Sequence, residues 1–231
     1  MTTTLLPTAE KRAATQDAAE DHRWGMFVAP RYEALTTAFH DWLLTHKDRW
    51  SVRAFYLGPD ASPEKVGAEV RDRHESVLYC LFMGHGADAA WLTFPEGEFD
   101  REKRNHRTLM SDGACTDDKV INAVGFCCNA ATVLGARIRR RGQYIGFRRR
   151  ITVPLRENEI GTFLKPLAHL LDALEGDSTR WVDGNSILCQ NLRDMAADIE
   201  RNSGMSRDER DFLVAVLVTA AEALDLRERG Q

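Results

Sequence analysis

No charge of one sign dominates this chain: 31 Lys and Arg stand against 35 Asp and Glu, a formal charge of -4. That balance supplies no general attraction to nucleic acid or to an anionic lipid surface. Long hydrophobic runs are missing too. The longest apolar stretch, 212–221 interrupted by Thr219, is well short of the ~20 residues a membrane-spanning helix needs and reads as a buried helix. Residues 1–11 lack the basic stretch and apolar run of a signal peptide, so export is not indicated and a cytoplasmic location is expected. Cys115, Cys127 and Cys128 have no Cys-x-x-Cys knuckle or His-x-x-x-His pair beside them, so neither a metal nor a cofactor is expected. Cys80 and Cys189 bring the cysteines to an odd number without a repeating framework, which fits a reducing compartment. No internal repeat is visible.

What is present is enough to bury a full core, with 43% apolar residues in 231. Residues 8–23 are rich in Ala, Glu, Lys and Gln and predict a solvated helix or arm. Tyr32, Leu35, Phe39, Trp42 and Leu43 then recur at helical spacing. Residues 50–57 alternate as a strand does and stop at Gly58-Pro59-Asp60, and Ser62-Pro63-Glu64 opens a helix running to about His74. Two almost unbroken apolar runs follow, SVLYCLFM (76–83) and KVINAVGF (119–126), too short for core helices and suited to strands buried on both faces of a parallel sheet. A helix over 130–141, a stop at Gly142 and a short strand over 143–147 come next. After Pro154 the pattern turns helical at 157–174, 185–201 and 207–227. The reading is an α/β fold, a mainly parallel sheet with helices on both sides. Residues 1–49 are expected as an N-terminal helical extension, 50–153 as the α/β core and 154–231 as a helical part packed on it.

In a parallel sheet, reactive groups gather where strands end, because the strands hold the exposed loops rigidly. One apolar run ends in Gly84-His85-Gly86, and the other in Cys127-Cys128 just before the predicted helix. A cysteine at a helix N-terminus feels partial positive charge, which raises its thiolate fraction. An imidazole protonates a leaving amine, and backbone N–H groups near both sites can face an oxyanion.

These two motifs, MGHG after one apolar strand and GFCCNAA after another, resemble the His and Cys motifs of caspase-like cysteine peptidases, the CHAT-type bacterial branch included. The resemblance covers about residues 50–153, and Gly142-Gln143-Tyr144-Ile145-Gly146-Phe147 is similar to the glycine-bounded strand that follows the family's catalytic helix. It implies a three-layer α/β/α sandwich, Cys128 as nucleophile and His85 as general acid/base, with the Gly86 and Cys128 backbone N–H groups as oxyanion hole. Ala130 stands where the family often has Ser or Thr, and the doubled cysteine leaves Cys127 as an alternative nucleophile. The implied function is a thiol protease, an endopeptidase cleaving a protein partner in a regulatory or defence pathway, with an activating partner protein. The competing expectation is a non-catalytic interaction module on the same fold.

Asp112, Asp117 and Asp118 precede the cysteine strand, where they either line a pocket for a basic substrate side chain or act as turn residues. Arg137, Arg139, Arg140, Arg141, Arg148, Arg149 and Arg150 flank the 143–147 strand. A charge run of this kind is usually a solvated face; the alternative makes Arg148, Arg149 and Arg150 candidates for binding an acidic partner, while the lack of interleaved aromatics disfavours nucleic acid. His40, His74, His106 and His169 have no partner at ligand spacing and are assigned to surface or packing.

Overall fold

The computed structural model describes residues 24–72, 78–94, 106–111, 120–140, 142–202 and 204–224. In chain order the strands are β1 (Trp24–Ala29), β2 (Val52–Leu57), β3 (Leu78–Met83), β4 (His85–Ala87), β5 (Ala90–Thr93), β6 (Arg107–Ser111), β7 (Val120–Phe126) and β8 (Gln143–Gly146). The helices are α1 (Ala34–His46), α2 (Pro63–Asp72), α3 (Val133–Ile138), α4 (Glu157–Gly176), α5 (Gly184–Asn202) and α6 (Arg207–Ala223).

Five strands form a sheet in the order β2-β1-β3-β7-β8, every pairing parallel. The register sets Phe55, Phe27, Leu81, Val124 and Ile145 in one row across it. Side chains alternate along a strand. That row therefore faces a core closed by α1, α4, α5 and α6, with Phe39, Phe163 and Leu217 fully buried. The row of Met26, Cys80, Ala123 and Tyr144 faces the opposite core, closed by Val66 and Val70 of α2, Leu134 and Ile138 of α3, and Trp91. Burial on both faces is why the two apolar runs lack alternation. Each fully buried Phe or Leu contributes roughly 1.5–3 kcal/mol of transfer free energy, and Phe27→Ala at the sheet centre costs about 3–5 kcal/mol.

The expected strands are β2, β3, β7 and β8, with β3 and β7 adjacent and parallel as the motifs require. The helical reading of 1–49 is corrected at Trp24–Ala29, a fully buried strand between β2 and β3. The predicted helix over 8–23 lies outside the described residues. The helix expected over 130–141 shrinks to Val133–Ile138. Sequence reasoning also missed β4, β5 and β6, a second, antiparallel sheet. Trp91 of β5 fastens it to the main sheet by stacking on Phe82 at 4.9 Å.

The edge strand β8 is covered by a side chain. Asn185 of α5 donates to the Tyr144 carbonyl at 3.2 Å and accepts the Gly146 N–H at 3.0 Å, as a neighbouring strand would. Among the described residues no helix is long and apolar enough to cross a membrane.

Candidate active site

Strand order reverses between β1 and β3, and in such sheets a crevice opens beyond the carboxyl ends of the strands at the reversal. Three loops meet there. The loop after β1 carries Tyr32 and Glu33, β3 passes through Gly84 to His85, and β7 ends at Cys127-Cys128. The Met83–Phe126 pairing and the Gly84 N–H donating to the Phe126 carbonyl at 3.4 Å keep the two motifs side by side.

Gly86 sets how closely they approach. A Cβ there would stand 2.5 Å from the Cys128 carbonyl oxygen and 2.7 Å from Cys127 Sγ, so only glycine lets β4 lie on this peptide. Neither Gly84 nor Gly86 has a positive φ, and the value of the GHG motif is this contact rather than unusual backbone angles. Ala87 and Ala90 are partners across a two-residue hairpin.

His85 and Cys128 line one cleft of about 960 Å³, with Leu35, Phe39, Ile151 and Val153 as apolar wall. His85 Nε2 lies 3.1 Å from Glu33 Oε1. The same carboxylate caps α1, accepting the Thr36 N–H at 3.2 Å while the Thr36 hydroxyl accepts the Glu33 N–H. Burial alone would raise the Glu33 carboxyl, but the hydrogen bond and charge of His85, helped by the Thr36 and Leu35 amides, hold it below the usual carboxylate range. The half-buried ring of Tyr32 packs beside His85, centroids 6.0 Å apart, and desolvation pushes its phenol far above the ordinary value.

Cys128 does not stand at the helix N-terminus that its place in the sequence suggests. The residue stands in a turn, α3 starts only at Val133, and the Val133 and Leu134 N–H groups donate to the Asp88 carbonyl at 3.0 and 2.9 Å. The donor to its sulfur comes from the segment after β8: the Ile151 N–H points at Cys128 Sγ at 3.4 Å. Asn129 takes φ of 60°, a conformation that Asn tolerates, and donates its N–H to the Arg149 carbonyl at 3.3 Å. Cys128 is half-buried, whereas Cys127 is buried against Tyr144, whose hydroxyl accepts from Trp91 Nε1 at 3.2 Å. Burial, reinforced by Cys128, pushes the Cys127 thiol far up, and the Tyr144 hydrogen bond offsets only part of it.

No family model, curated protein or solved structure matches this chain.

Asp112, Asp117, Asp118 and Cys115 lie outside the described residues. Arg150 lines the cleft, and so does His106, which sequence reasoning had assigned to surface or packing. Arg148 and Arg149 line a neighbouring depression. Glu33 and Ile151 went unnoticed in the sequence, and Tyr32 was read only as part of the helical apolar stripe. A signal existed only for Glu33, an acidic residue at the start of a helical stripe with Thr three positions on. Nothing in the sequence links it to His85, 52 residues later. No disulfide joins Cys80, Cys127, Cys128 and Cys189. Among the described residues no group of three or more His, Cys, Asp or Glu side chains is placed to hold a metal.

Proposed function

We propose that this chain is a cysteine endopeptidase of caspase-like, three-layer α/β/α type that cleaves a protein partner. The observation that carries the reading is the shared cleft: His85 and Cys128 leave adjacent parallel strands and line one cavity, with Gly86 packed on the Cys127-Cys128 peptide. A cysteine and a histidine at neighbouring strand ends, the histidine held by a carboxylate, are the elements of nucleophilic acyl transfer.

In the proposed reaction the Cys128 thiolate attacks the scissile carbonyl carbon and forms a C–S bond. The oxyanion faces the Gly86 and Cys128 N–H groups. His85 passes its proton to the leaving nitrogen as the C–N bond breaks, giving an acyl-enzyme and a free amine. Water then adds to the thioester with His85 accepting its proton, and the carboxylate product departs as the thiol re-forms. Glu33 keeps the imidazole ring oriented throughout. An activating partner protein and a cytoplasmic setting belong to the same proposal, and the absence of disulfides among the four described cysteines fits a reducing compartment.

The test is a peptide-library digest by the purified protein, paired with Cys128→Ala. Cleavage by the wild type and none by the variant, at unchanged thermal midpoint, is the expected result. Cleavage that survives in Cys128→Ala overturns the assignment.

A further inference from the structure

The apolar wall of the cleft is built from two directions. Leu35 and Phe39 stand one turn apart on one face of α1, and both line the cleft. Ile151 and Val153 reach it from the segment after β8, whereas Thr152 between them is exposed and does not line it. Phe126, the last residue of β7, stands between the two halves, its ring meeting Phe39 edge-on at 5.8 Å. The two phenylalanines are fully buried and make a floor, while Leu35, Ile151 and Val153 are half-buried and pack against the same core. These three keep apolar surface that an occupant would remove from water.

The place of this wall relative to the reacting sulfur decides which occupant that is. The Ile151 N–H donates to Cys128 Sγ at 3.4 Å, so one end of the wall is tied to the nucleophile itself. When the amine leaves, the acyl half of a substrate stays bonded to that sulfur. The side chain nearest the new C–S bond on that half belongs to the residue whose carbonyl was attacked, and it is the one a wall fixed at the sulfur meets first. Charge does not choose the occupant. Among the described residues, the carboxylate of Asp88 and the guanidinium of Arg150 line the cleft with opposite signs, and both residues are exposed, where pairing with a ligand charge contributes little.

Resting on the peptidase reading, we infer that Leu35, Ile151 and Val153, over the Phe39–Phe126 floor, form the subsite for the residue whose carbonyl carbon bonds Cys128, and that this subsite selects a large apolar side chain such as Leu, Met or Phe. An alanine there would leave most of the wall wet. A charged side chain would lose hydration against five apolar groups that offer it no partner.

Peptide aldehydes test the subsite without requiring turnover. The Cys128 sulfur adds to the aldehyde carbon, forming a C–S bond while the thiol proton passes to the former carbonyl oxygen, and nothing is oxidised or reduced. The aldehydes share one stem and differ only in the last residue, which is Leu, Phe, Ala, Asp or Arg. Mass spectrometry reads the concentration of each that protects Cys128 from iodoacetamide. Leu and Phe are expected to protect at concentrations about tenfold or more below Ala, with Asp and Arg no better than Ala. Val153→Thr keeps the volume and adds a hydroxyl, and should cut the Leu-over-Ala ratio about threefold or more. Leu35→Ala, from the other half of the wall, should lower it too, while Thr152→Val should keep it. Equal protection by all the aldehydes, protection by none, strongest protection by Asp or Arg, or a ratio that moves no more in Val153→Thr and Leu35→Ala than in Thr152→Val overturns the inference. The matching peptide amides tell the two readings apart. An apolar preference among the aldehydes with no amide cleaved sinks the peptidase and leaves the subsite standing, whereas amides cleaved without that preference sink the subsite alone.

Discussion

Glu33 Oε1 accepts the Thr36 backbone N–H at 3.2 Å and lies 3.1 Å from His85 Nε2, so one carboxylate both starts α1 and holds the imidazole. The two roles separate by mutation. Glu33→Gln keeps an acceptor oxygen for the cap and loses the charge, whereas Glu33→Ala loses both and costs about 1 kcal/mol as a lost cap. In the peptidase reading, Glu33→Gln is expected to lower kcat about tenfold or more, with little change in KM or thermal midpoint. An effect on activity that only tracks lost stability in both variants would reduce Glu33 to a cap.

The same carboxylate gives a pH signature. Its folded pKa is depressed, so the stability it contributes is fully present above the unfolded carboxyl value of about 4.3 and is lost as pH falls through the lower folded value. Urea denaturation at steps from neutral pH down to about pH 3 should show wild type losing its margin over Glu33→Gln in acid. Parallel curves for the two proteins would contradict the assignment.

Cysteine labelling distinguishes the two neighbours. Native protein treated with iodoacetamide should be modified at Cys128, while Cys127, Cys80 and Cys189 react only after unfolding because all three are buried. Mass spectrometry of the digests reads this directly. Faster modification of Cys127 would make it the nucleophile in place of Cys128.

Gly86→Ala is expected to be severe for a residue on so short a strand. The added methyl would meet the Cys128 carbonyl oxygen at 2.5 Å and Cys127 Sγ at 2.7 Å, and easing that contact requires β4 to move off the β7 end. Destabilisation of about 1–3 kcal/mol and loss of cleavage should appear together. A fully active Gly86→Ala protein would show that the contact is not needed.

β3 and β7 were legible in the sequence because burial on both faces removes alternation, leaving apolar runs that turn residues interrupt. β1 has the same character, WGMFVA, but it is only six residues long and follows a polar stretch of helical composition. Without knowledge of its neighbours it does not stand out. His85 and Cys128 were legible from local motifs. Glu33, Ile151 and His106 were not, because each reaches the site through a loop whose position depends on the finished sheet.

The Phe147–Leu224 bridge and the Arg148–Ala223 hydrogen bond tie the segment beside Cys128 to the end of α6. On the ribosome, where chains emerge at roughly 5–20 residues per second, this tie cannot form until three further helices have been made. The segment beside Cys128 therefore spends several seconds of its synthesis without one of its anchors. The cleft is therefore completed only after the sheet that frames it, by the order in which the chain is made.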